Sequence, residues 1–140
     1  KVRLEIKPLP VGTEPELLRS AKQFYDLADQ RLRMKDVAAQ NRYEAWVALH
    51  RALLTLEAVN NSEAKADLYN IVQQSLREVD RELETICNKF MLGGKKHEEL
   101  GDSEKALKEY RNGLAWFPGN DHSCRGRLAD MIMEYGEPPP

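Results

Sequence analysis

Apolar residues recur at steps of three and four over most of the chain and at steps of two only near its start. Leu17, Ala21, Phe24, Ala28 and Leu32 form one stripe, the spacing of an amphipathic helix. Its start is marked by Thr13-Glu14-Pro15-Glu16, a capping-box form in which the Thr hydroxyl covers a free amide, the Glu reaches back and Pro is tolerated in the first turn. This first helix runs to about Arg33. After a break near Lys35 and Asp36, a second helix carries Ala45 or Trp46, Leu49, Ala52 or Leu53, Leu56 and Val59 on one face, so the two make an αα-hairpin. Asn60-Asn61-Ser62 then reads as a stop and restart, because Asn both ends helices and caps them.

The third helix has the clearest pattern. Tyr69, Val72, Leu76, Val79, Leu83, Ile86 and Phe90 alternate steps of three and four, an a/d heptad seam flanked by charged residues. The seam is expected to pack inside the domain, the other reading being an intermolecular coiled coil. Gly101-Asp102 makes a turn into a fourth helix. A fifth runs from about Asp121, as its cap, to Tyr135 and stops at Gly136 ahead of Pro138. The predicted class is all-α: antiparallel hairpins stacked as a short array of about five helices.

Val2-Arg3-Leu4-Glu5-Ile6 alternates with period two and gives way to Lys7-Pro8-Leu9-Pro10, a short strand followed by an extended linker. No later segment looks like its partner, and a lone strand cannot satisfy its own backbone. It would then pair with another copy, lie along the helices, or belong to a preceding β module; the last is favoured, with residues 1–12 as its remnant and a forkhead-associated domain as one example, a suggestion that rests on the strand alone. Residues 13–136 are expected to be one helical domain, and 137–140 a Pro-rich tail or linker.

Composition narrows the function classes. A 140-residue chain with 31% charged residues and 41% hydrophobic ones suits one packed helical domain rather than disorder. Its net charge of −2 is spread through mixed-sign stretches such as Lys95-Lys96-His97-Glu98-Glu99, with no basic block to neutralise phosphates, so no nucleic-acid partner is expected. There is no apolar run long enough to insert in a membrane and no signal-peptide pattern. Cys87 and Cys124 suit small apolar fillers of a helical core in a reducing, cytoplasmic setting; a structural disulfide or redox pair is the other reading.

Catalytic and cofactor motifs fare poorly. Gly93-Gly94-Lys95-Lys96 lacks the spacing of a phosphate loop and follows no strand. Asp121-His122-Ser123-Cys124 places nucleophile, base and carboxylate types side by side, whereas a triad needs groups converging from different turns or elements. His50, His97 and His122 lack metal-ligand spacing. No enzyme activity, cofactor or metal is expected.

A frame started at Cys87 places Phe90, Gly94, His97, Ala106, Tyr110, Gly113 and Pro118 at the spacing of the tetratricopeptide repeat (TPR), and residues 87–120 resemble one such unit. Small residues at Gly94, Ala106 and Gly113 let two antiparallel helices approach while Phe90 and Tyr110 fill the gap. The frame's Leu position holds Gly93 instead, with Leu92 one place off. Two adjacent glycines weaken a helix by about 1 kcal/mol each relative to Ala, and a kink is expected there. Ala45, Leu49 and Ala52 repeat part of the spacing, a degenerate unit in which Arg33 stands at the Gly position.

The resemblance implies a protein-interaction role, in which the first helices line a groove for an extended peptide or partner helix. Its groove positions fall on Asn88, Met91, Lys95, Glu98 and Glu99, and on the following helix at His122, Arg125 and Ala129. The family's carboxylate clamp needs a basic residue and then Asn where Met91 and Lys95 stand, so that ligand is not expected. The expectation is a non-catalytic scaffold or adaptor domain of a larger bacterial protein. The alternative is an oligomerisation module, a homodimer pairing through the helix 3 seam or the N-terminal strand.

Overall fold

The computed structural model describes residues 13–136. The N-terminal strand and the Pro-rich tail expected from the sequence lie outside them. Among the described residues there are five helices and no strand: α1 (Glu14–Arg33), α2 (Asn41–Glu57), α3 (Glu63–Glu99), α4 (Ser103–Leu114) and α5 (Ser123–Met133). The chain divides into two compact units between Arg81 and Glu82. The division falls inside α3, which supplies the last helix of one unit and the first of the other. No sequence break marks it because α3 continues through without interruption.

In the first unit α1 and α2 are antiparallel. Glu14, at the start of α1, accepts from the Asn60 amide just beyond the end of α2, while Arg31 near the end of α1 stands 3.4 Å from Glu44 in the first turn of α2. The Thr13 hydroxyl accepts from the Glu16 amide at 3.4 Å, with Pro in the first turn, as the capping pattern predicts. The connection is tied down by α2 itself: buried Asn41 donates to the Met34 carbonyl at 2.6 Å, and Arg42 donates to the Lys35 carbonyl and to Asp36. Leu17, Ala21 and Ala28 of α1 are buried, as are Ala45, Trp46, Leu49, Ala52 and Leu56 of α2. Trp46 also fixes α2 against α3, its Nε1 donating to Asp80 Oδ1 at 3.0 Å. A buried indole N–H usually finds such an acceptor.

Along the heptad seam of α3, Val72, Val79 and Leu83 are no more than 1% exposed and Phe90 is buried, while Tyr69, Leu76 and Ile86 are half-buried. The strand route to pairing lies outside the described residues.

In the second unit α3 and α4 run antiparallel, since Gly93 faces Glu109, Gly94 faces Tyr110 and Gly113 faces Phe90. The adjacent glycines do not interrupt α3. They sit where the neighbouring helix comes closest, so packing outweighs the weak helix preference of glycine. Gly101, at φ +76°, makes the turn and Asp102 caps α4 by accepting from the Lys105 amide.

Two sequence expectations are corrected here. Cys87 and Cys124 are not free apolar fillers but a disulfide, Cα–Cα 6.0 Å apart. The cap of α5 is not Asp121 but His122, whose Nδ1 accepts from the Cys124 amide at 3.0 Å.

Candidate functional site

The second unit brings together the side chains that the repeat frame singles out. Cys87 meets Cys124 and Glu98 meets Tyr135 at the same sequence separation of 37, so α5 runs parallel to the C-terminal part of α3. Asn88, Met91, Lys95, Glu98 and Glu99 therefore lie along one helix, and Arg125 and Ala129 along its neighbour.

Their environments differ. Asn88, Lys95 and Glu99 are exposed, Met91 and Ala129 half-buried. His122 is turned inward at 4% exposure, its ring 5.0 Å from that of Phe117. It cannot be a groove residue, because capping α5 and filling the core claim both its nitrogen and its face. Arg125 donates to the Phe117 carbonyl at 2.8 Å, which ties the start of α5 back to the beginning of the connection that follows α4. Glu98 accepts from the Tyr110 hydroxyl at 3.0 Å and the Tyr135 hydroxyl at 2.5 Å. Of the eight expected positions, these three have structural tasks.

The two phenols on Glu98 respond to it. Tyr110 is fully buried, and burial together with the bond to Glu98 raises its pKa far above the usual range. Tyr135 is pushed up to about 12, chiefly by donating to that carboxylate, with burial second. A carboxylate that accepts two hydroxyl protons favours both phenols in their neutral form. Along α3, Arg127 makes a two-pronged pair with Glu84, at 2.9 and 3.2 Å, and also donates to the Ser123 hydroxyl. Its guanidinium holds the Glu84 carboxyl below the ordinary range.

Of these pairings, the sequence offers only Cys87–Cys124, as the second of two readings. The repeat frame supports it, since it sets successive first helices side by side about 34 residues apart, within a turn of the Cys87–Cys124 separation of 37. No such signal exists for Glu98 and Tyr135, whose pairing depends on the rotation of α5 about its own axis.

Among the described residues, no group of three His, Cys, Asp or Glu is placed to hold a metal ion, and no helix is long and apolar enough to cross a membrane. Comparison with protein-family models, curated proteins and solved structures finds no match to the chain.

Proposed function

We propose that the chain is a non-catalytic protein-interaction domain, a scaffold or adaptor segment of a larger protein built from TPR-like hairpins, which takes a peptide or partner helix along α3 and α5. The observation that carries this reading is the parallel placement of α3 and α5, with Asn88, Met91, Lys95 and Glu99 on one and Ala129 on the other still accessible to solvent. An apolar side chain among charged ones suits recognition by shape and charge together. The close approach of α4 at Gly94 and Gly113 agrees with the small-residue positions of the repeat. The cytoplasmic setting that sparse cysteines suggest is not carried into this proposal, because disulfides persist in oxidising compartments and are rare where thiols are kept reduced.

Partner capture on the whole chain tests the assignment. Met91→Ala combined with Lys95→Glu should reduce recovery by about tenfold or more, the size of a modest interface hot spot. Lys105→Glu with Lys108→Glu, on the exposed side of α4, should leave it unchanged. Equal recovery from both variants would sink the proposal. Arg125 is avoided as a target because its bond to the Phe117 carbonyl would confuse lost binding with lost structure.

A further inference from the structure

Helix α5 is short and thinly anchored. Its 11 residues fall below the length at which an isolated helix holds together in water. Its buried side chains are Cys124, Leu128 and Ile132, and its polar ties are the contacts of Arg125, Arg127 and Tyr135 already described. By contrast, the α3/α4 hairpin has its own anchors in the Gly94–Tyr110 contact and the Asp102 cap, neither of which involves α5. The two helices of that hairpin and α5 are therefore unequal in what holds them. The covalent link to α3 through Cys124 falls on the weaker element.

We propose that the Cys87–Cys124 bond is a redox-controlled strap: oxidised, it holds α5 against α3 and α4, and reduction by a dithiol lets α5 come away while the α3/α4 hairpin stays folded. Cys87 and Cys124 are both 0% exposed, so a reductant reaches the sulfurs only when α5 opens locally. The strap thus slows its own reduction. In the open molecule a thiolate of the dithiol attacks one sulfur, the S–S bond breaks, and the other cysteine leaves as a thiolate that takes up a proton. The second thiol of the reductant then closes on its own mixed disulfide and releases the first cysteine, which is protonated in turn. Two electrons and two protons have passed to the protein, and the dithiol has become a cyclic disulfide. Once α5 leaves, Phe90 and Gly113 lose the Leu128 side chain that lies against Gly113. The strap acts whether or not a partner binds along α3 and α5.

Amide hydrogen exchange on the whole chain, with and without excess dithiothreitol, reads the strap directly. Reduction should speed exchange at Leu128–Ile132 by roughly a hundredfold, the loop-closure effect expected for the chain between the end of α4 at Leu114 and Cys124, since the α3/α4 hairpin stays folded. Amides at Ala106–Tyr110 should change less than about threefold, and reoxidation should restore the slow rates. A Cys87→Ser/Cys124→Ser variant should show fast α5 exchange in both conditions; should that variant not fold, the reduction of the folded wild-type protein still gives the answer. Unchanged α5 exchange on reduction, or equal acceleration of α4 and α5, would overturn the proposal.

Discussion

The Tyr110 ring lies against Gly94 so closely that a Cβ on Gly94 would stand 2.1 Å from Tyr110 Cε1. At the adjacent Gly93 the atoms nearest an added Cβ would all belong to the Glu109 side chain, the first at 3.0 Å. The two glycines look alike in the sequence and should behave oppositely. Gly94→Ala should destabilise the protein by about 3 kcal/mol, because a fully buried ring has nowhere to move. Gly93→Ala should lie between neutral and about 1 kcal/mol stabilising, since the flexible Glu109 can swing aside while alanine restores helix preference. Urea denaturation of the two variants decides the matter, and equal losses would mean that the close approach is not at Gly94.

Gly126 lies in the interior of α5, exposed, with nothing within 4 Å of an added Cβ. Gly126→Ala should stabilise by about 0.5–1 kcal/mol through lower backbone entropy in the unfolded chain. In the exchange experiment it should also slow the opening of α5. A loss of stability would show that the face is covered by something else.

Tyr135 should ionise late. Its phenol is pushed up to about 12 by its bond to Glu98, against about 10 in an unfolded chain. A raised folded-state pKa gives stability that is fully present below the unfolded value and lost as pH rises through about 12, because only the neutral phenol donates. Titration followed by near-ultraviolet absorbance should show this late step, and Tyr135→Phe should remove it. A Tyr135 that ionises near the ordinary value of about 10 would mean that the Glu98 contact does not form.

The acid side of the stability profile should report Glu84. Arg127 lowers its pKa, first through the hydrogen-bonded pair and then through charge, so its contribution is present above the unfolded value of about 4.3 and lost as pH falls through the lowered folded value. The pair is partly exposed, with side-chain exposures of 37% for Arg127 and 46% for Glu84, which limits the effect to less than about 1 kcal/mol. Arg127→Gln should flatten that part of the acid limb in chemical denaturation performed across pH. An unaltered acid limb would count against the pairing.

What could be read in advance follows from how far each determinant reaches along the chain. The Thr13 cap, the Gly101-Asp102 turn and the stripe of Leu17, Ala21 and Ala28 are set by neighbours within a turn or two, so residue type and spacing suffice. The approach at Gly94 and Gly113 was also legible, because only small residues allow it and their spacing was present. His122 was misplaced because a cap and a groove position differ by a rotation that spacing does not encode.

The sequence by itself determined the all-helical class, the start of α1, the heptad-patterned third helix and the small-residue positions at which α3 and α4 meet, since these depend on local preference and periodicity. Only the tertiary structure decided that Cys87 and Cys124 are joined, that Glu98 holds Tyr110 and Tyr135, and that the chain divides within α3. Each depends on which faces of distant helices come together, and that is settled by the packing of the assembled helices.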